Sequence, residues 1–256
     1  MKAMIFAAGL GTRLGAITQC KPKALVEVGG EPMLKRVILK LKNAGIKEIV
    51  VNVHHHATDI IDYLSANSYF GIHIAVSDER DKLLDTGGGL LQARNLLEGE
   101  EPILVHNADI LTDFDLNEMI CRHEASASQA TLLVADRPTS RYLLFDDKMR
   151  MVGWKNITTD EVRSPWSDDI TVTATRLAFG GVHIISPDIF KNLAAYGLKH
   201  GEKFSMTPFY IEKCAELIIR GFMPEKQYNW IDIGKPESLI AAENIASRLQ
   251  PTIRRE

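Results

Sequence analysis

Cysteine is scarce in this 256-residue chain. Cys20, Cys121 and Cys214 are odd in number, far apart and in no Cys-x-x-Cys or Cys/His ligand spacing, which excludes a disulfide framework or a structural zinc as the basis of the fold. They are expected as reduced thiols of a cytoplasmic protein. Charge of one sign is missing too: 30 Lys and Arg stand against 33 Asp and Glu, a net −3. Basic residues such as Arg254 and Arg255 are scattered or terminal rather than set in a stripe, so neither nucleic acid nor an anionic membrane is an expected partner. Long hydrophobic runs are absent. Met4-Ile5-Phe6-Ala7-Ala8 is too short for a signal-sequence core and turns at once into glycine. Nothing else approaches membrane-spanning length, and a soluble, unprocessed chain is expected. Repeats and low-complexity tracts are lacking as well.

What is present is enough apolar material, 45% of residues, to bury a large core. The length suits a single α/β domain over 1–256. Short apolar runs at 3–7, 48–53, 72–76 and 103–106 alternate with amphipathic stretches at 33–43 and 58–66 and a helix opening at Thr86-Gly87-Gly88-Gly89. That is the βαβα signature of a doubly wound, mostly parallel sheet with helices on both faces. It occupies a first half, 1–112. In the second half, 113–256, a helix at 116–123 leads to strands at 130–135, 142–145, 151–154 and 173–185, whose succession predicts a mixed extension of the same sheet. The polar stretch 156–169 reads as a surface loop or hairpin arm. Helices are expected at 187–195, 206–219 and 236–248, the last with Pro236 in its first turn.

Ala7-Ala8-Gly9-Leu10-Gly11-Thr12-Arg13-Leu14 follows directly on the first strand, at the sheet edge where open α/β folds bind ligands. Glycines there let backbone N–H groups approach phosphate oxygens. The turn is not a dinucleotide fingerprint, because Leu14 stands at the third glycine position and the second strand ends in Asn52-Val53-His54 without an acidic ribose anchor. A Walker A loop fails for want of Gly-Lys-Ser/Thr. Asp109, at the end of His106-Asn107-Ala108-Asp109, lies just beyond another strand at the same edge. His54-His55-His56 is read as loop histidines, since neighbours at a strand end point to opposite faces.

Together with Lys21-Pro22-Lys23-Ala24-Leu25-Val26-Glu27-Val28-Gly29-Gly30-Glu31-Pro32, the Gly-rich turn resembles the N-terminal signature of the sugar-1-phosphate nucleotidyltransferases. Ala16 and Ala24 replace prolines common in that family. Asn229-Trp230-Ile231-Asp232-Ile233-Gly234-Lys235-Pro236 resembles its Trp-x-Asp-x-Gly-x-Pro motif. The resemblance implies transfer of a nucleoside monophosphate from an NTP to a sugar 1-phosphate, with release of pyrophosphate. It implies that Ala8, Gly9, Gly11 and Thr12 wrap the triphosphate, that Arg13 and Lys23 act on the leaving pyrophosphate and the reacting phosphates, and that Asn107 touches the nucleoside. Fixed cations suit that chemistry because charge grows on the phosphoryl oxygens during transfer. Asp109 and Asp232 are implied as ligands of Mg²⁺ or Mn²⁺. Thr86, Gly87 and Gly88 are implied at base and ribose, and Gly180, Gly181 and Lys155 at the sugar, with room beside the two glycines for a large one.

Leu84-Asp85-Thr86-Gly87-Gly88-Gly89 resembles the Glu-Thr-Gly-Gly-Gly stretch of N-acetylmuramate-1-phosphate uridylyltransferases more than the Gly-Thr-Ala-Gly-Ala of mannose-1-phosphate guanylyltransferases. UTP is therefore the expected donor and N-acetylmuramate 1-phosphate the expected acceptor. GTP with mannose or manno-heptose 1-phosphate, a cytidylyltransferase acting on phosphocholine, and a catalytically silent sugar-nucleotide sensor are the alternatives. A monomer or homodimer is expected.

Overall fold

A computed structural model describes residues 1–248; Arg254 and Arg255 lie outside the described residues. Strand β1 (Lys2–Phe6) runs into two 3-10 turns (Thr12–Thr18 and Lys23–Leu25), a small hairpin of β2 (Glu27–Val28) and β3 (Glu31–Pro32), and helix α1 (Met33–Asn43). The alternation continues through β4 (Glu48–Val53), α2 (Ala57–Ala66), β5 (His73–Asp78), α3 (Asp85–Gln92), α4 (Arg94–Leu97) and β6 (Ile103–Asn107). Next come β7 (Ile110–Thr112), α5 (Leu116–Glu124), β8 (Ala130–Ala135), β9 (Arg141–Phe145), β10 (Met151–Asn156), β11 (Glu161–Arg163) and α6 (Asp168–Thr173). The described chain ends with β12 (Thr175–Ile185), α7 (Ile189–His200), α8 (Met206–Lys213), β13 (Ile219–Phe222), β14 (Trp230–Asp232) and α9 (Pro236–Ala246).

The sheet is mixed. Strands β5, β4, β1 and β6 are parallel in that order, and β12 joins β6 antiparallel. Helices cover both faces, as the alternation predicts. In α1 the buried residues Leu34, Val37, Ile38 and Leu41 recur at helical spacing and join α2 and α5 on one face. Residues of α3, α4, α7 and α8 fill the other. β4, covered on both faces, is buried from Ile49 to Val53, which is why it reads as an apolar run broken only by Asn52. Helix α9 packs apart from both, its Ala242 and Ala246 meeting Leu14, Val26, Leu111 and Ile233.

Strand β12 is where the sheet divides. β8 lies along one of its edges, and the other edge is shared by β9, at Thr175 to Leu177, and β6, at Val182 to Ile185. Between them the strand bulges: on the β8 side Phe179 pairs with Val134 and His183 with Leu132, so that residues 180–182 oppose Leu133 alone. Gly180 is needed because a Cβ there would lie 2.7 Å from Leu133 Cδ2, and Gly181 because its φ is +72°.

One sequence expectation is corrected, and one left open between two readings is decided. The helix expected over 206–219 stops at Lys213, and Ile219 opens β13, which pairs parallel with β8; residues 214–218 form a turn, closed by the Glu216 and Leu217 amides donating to the Lys213 carbonyl, whose apolar residues the helical period had absorbed. The stretch 156–169 is the hairpin arm, with β11 pairing antiparallel to β10.

Candidate active site

The loop after β1 turns at Gly11, whose φ is +66° and whose Cβ would lie 2.8 Å from Thr18 Cγ2 and 3.1 Å from Lys23 Cβ. Thr18 Oγ1 donates to the Gly11 carbonyl at 2.8 Å. Leu14 is buried against Val26 and Ile233, so the residue that replaces a third glycine is the loop's anchor, while Gly9 and Thr12 stay exposed.

Antiparallel pairing of β7 with β14 sets Asp232 opposite Ile110, and the Ile233 amide donates to the Asp109 carbonyl at 3.0 Å. Two carboxylates 123 residues apart are thereby brought together at the edge where β1 and β6 end. Lys23 Nζ donates to Asp109 Oδ2 and lies 3.5 Å from Asp232 Oδ1. Arg13 reaches Asp232 Oδ2 at 3.9 Å. Gly234 leaves the room for this, since a Cβ there would stand 2.7 Å from the Arg13 guanidinium. Asp232 Oδ1 is buried and accepts no hydrogen bond. An orphaned carboxylate oxygen facing a second carboxylate across one ammonium fits a hard divalent cation. Among the described residues no group of three or more His, Cys, Asp or Glu side chains gathers at one place. Such an ion would take two protein ligands here and fill its octahedron from water and phosphate, as Mg²⁺ does at nucleotide sites.

Arg13, Lys23 and Asp109 open onto a cavity of about 420 Å³ walled by residues 6–13 and by Asn107. Asn52, Glu79, Asp85 and Thr86 also line it. Asn52 Oδ1 accepts from the Ala7 amide at 2.8 Å and its Nδ2 donates to Glu79 Oε1 at 2.7 Å; Glu79 Oε2 accepts from the Leu84 amide at 3.1 Å. Burial pushes the Glu79 carboxyl above its ordinary range, against these hydrogen bonds. Neither residue was singled out from sequence. Glu79 carries the signal that marked Asp109, an acidic residue just beyond an apolar strand; Asn52 carries none.

The three glycines of α3 do not line the cavity. The Gly87 and Gly88 amides both donate to the Phe204 carbonyl, at 2.8 and 3.1 Å, and Cβ atoms on them would run into Phe204 and the Glu202 carbonyl. Asp85 and Thr86 face the cavity instead, while Thr86 Oγ1 also accepts from the Met206 amide at 2.9 Å. Gly180 and Gly181 leave no vacancy, because Leu133, Ile110 and Asn107 Nδ2 fill the space beside them. Lys155 is ion-paired at 2.6 Å with Asp160 of its own hairpin arm. His54 Nδ1 lies 2.6 Å from the Glu79 carbonyl and His56 Nδ1 is 3.0 Å from Asp59, so these histidines serve the loop.

Cations at the mouth of a glycine-walled cavity, with carboxylates behind them, belong to an enzyme of nucleotidyl transfer. Residues 2–145 match the family model described as nucleotidyl transferase, more than half of the chain, and the chain belongs to that family, the sugar-1-phosphate nucleotidyltransferases. It is 31% identical over 255 residues to the N-acetylmuramate alpha-1-phosphate uridylyltransferase of Caulobacter vibrioides, covering 94% of this chain and 95% of that one. It is 27% identical over 252 residues to the mannose-1-phosphate guanyltransferase of Saccharomyces cerevisiae, covering 94% of this chain and 63% of that one. HddC from Yersinia pseudotuberculosis, solved with GMP-PN, shares the fold at a TM-score of 0.74 and 22% identity, over 96% of this chain and 99% of that one. Among the described residues no helix is long and apolar enough to cross a membrane.

Proposed function

We propose that the enzyme transfers UMP from UTP to N-acetylmuramate 1-phosphate with a divalent cation, Mg²⁺ or Mn²⁺, held by Asp109 and Asp232. The observation that carries the chemistry is the meeting of Arg13 and Lys23 with those two carboxylates at the cavity mouth. An acceptor phosphate oxygen forms a bond to the α-phosphorus of the NTP as the bond from that phosphorus to the pyrophosphate oxygen breaks. Lys23 and Arg13 stabilise the charge that grows on the equatorial oxygens and the leaving group. The Gly-rich loop holds the triphosphate in line, and Asn107, Asp85 and Thr86 lie where the nucleoside fits. When bound, the cation supplies further charge neutralisation at the phosphates.

The preference for UTP rests on the sequence of α3's first turn and on the uridylyltransferase at 31% identity. The second reading, GTP with mannose or manno-heptose 1-phosphate, is favoured by the guanyltransferase at 27% identity. Pyrophosphate release, measured with four NTPs against these sugar phosphates and phosphocholine, tests both. A tenfold greater kcat/KM for GTP, about 1.4 kcal/mol in transition-state binding, would overturn the uridylyl reading, and no release with any pair would leave a sensor. Asp109→Ala and Asp232→Ala are each expected to lower the rate by about a thousandfold or more; full turnover in excess EDTA would refute the cation.

A further inference from the structure

The cations the resemblance assigns are already matched to carboxylates: Arg13 to Asp232, Lys23 to Asp109 and Asp232, and Lys155 to Asp160. Arg137, just past β8, is different. Among the described residues no carboxylate lies within 4 Å of its guanidinium, which is half-buried and stacks on the Trp230 ring at 3.7 Å from the centroid. Its NH2 group donates to the Phe179 carbonyl at 2.7 Å, and Trp230 Nε1 donates to the next carbonyl, Gly180, at 2.8 Å. Both anchors hold the bulge of β12. Nε is buried and has no partner. One of five N–H donors is thus bonded, and the positive charge has no counterion in contact.

Its position decides what that charge is for. Trp230 and Asp232 alternate on β14, so their side chains project to the same side about 7 Å apart. The guanidinium over Trp230 is thereby near enough to Asp232 for that carboxylate's charge to act on it. It does not line the cavity walled by the Gly-rich loop; it comes from the second half of the chain, from the segment that follows β8. Planar guanidinium, held flat on an aromatic ring, suits two-point binding of phosphate better than an ammonium does.

We propose that Arg137 binds the phosphate of the acceptor and so fixes its oxygen for attack. The proposal rests on transfer to a phosphorylated acceptor, whichever base the donor carries. Arg137→Gln is expected to raise the KM for the sugar 1-phosphate at least tenfold while leaving the KM for the NTP within twofold, and Arg137→Lys to recover part of the loss. A purely structural strut for the bulge would instead lower the melting temperature and shift both KM values or neither, and that result overturns the proposal. A second measurement does not depend on turnover: inorganic phosphate titrated into the parent protein should change the emission of Trp230, on which Arg137 stacks, and the change should vanish in Arg137→Gln. Absence of any phosphate-dependent change in the parent refutes the site. Failure of every acceptor with a normal phosphate response would refute the functional reading and keep the anion site.

Discussion

Lys23 faces two carboxylates at once, and its side chain is only 11% exposed. Removing it should do two things. The rate constant kcat/KM of Lys23→Ala should fall by about a hundredfold, the usual effect of losing one preorganised electrostatic contact. The variant should also melt lower, because Asp109 and Asp232 then confront each other, and saturating Mg²⁺ should raise its melting temperature more than it raises the parent's. Steady-state kinetics and thermal melts check both; an unchanged kcat/KM would return Lys23 to a structural ion pair. Arg13, Lys23, Asp109 and Asp232 were legible in the sequence because each follows a strand or lies in a motif with fixed spacing. Glu79, just beyond β5, carried the same signal as Asp109 and was passed over; Asn52 and Arg137 carried none. Their meaning lies in partners far along the chain, such as Trp230 for Arg137, and a polar residue at a strand end has no local mark that tells which loop it will meet.

At the scale of elements, the opening turn of α3 is a lock rather than a hand laid on the base. Its amides hold the Phe204 carbonyl, Ser205 Oγ donates to Asp85 Oδ2 at 2.6 Å, and Thr86 Oγ1 accepts from the first residue of α8. Gly88→Ala would push a methyl into the Glu202 carbonyl and should cost about 1–3 kcal/mol as overpacking. The KM for the NTP should rise with it, because Asp85 and Thr86 shift. Gly9→Ala, where a Cβ meets nothing within 4 Å, should leave stability unchanged and serves as the contrast in the same urea titration. Equal stability of the two variants would contradict the lock. The helical period was legible where it ran long, as in α1, and the strands β4 and β8 were legible as apolar runs. The three-residue strands β7 and β14 are shorter than any alternation can reveal, yet they set Asp109 beside Asp232.

Across the whole molecule, three histidines are buried as neutral rings. Burial pushes His106 and His123 down to about 4 and His183 to about 3, whereas an unfolded imidazole titrates near 6.5. Between pH 6.5 and about 4 the unfolded chain therefore binds more protons than the fold, so stability rises with pH across that window and is lost as pH falls. Three protons correspond to a slope of about 4 kcal/mol per pH unit. Urea unfolding at pH 6 and 5, inside that window, should show it. Both ring nitrogens of His183 are buried without a partner. His183→Leu should accordingly gain about 1–3 kcal/mol at acidic pH by removing unsatisfied groups and flatten the slope by about a third; an unchanged slope would assign the acid sensitivity elsewhere.

The bulge of β12 also governs where this chain tolerates a change of length. Opposite β8 the bulge inserts two extra residues, an even number, so that Phe179 before it and His183 after it face the same side of the sheet, where their rings stack. Loss or gain of a single residue among 178–182 would put the two ends of the strand out of phase. Either the rows that meet β9 or those that meet β6 would then turn their apolar residues to the wrong face. The arm at 157–160, which only joins β10 to β11, carries no such phase relation. Insertions and deletions can therefore accumulate in the arm, while the spacing between the rows that meet β9 and those that meet β6 stays counted out by one strand.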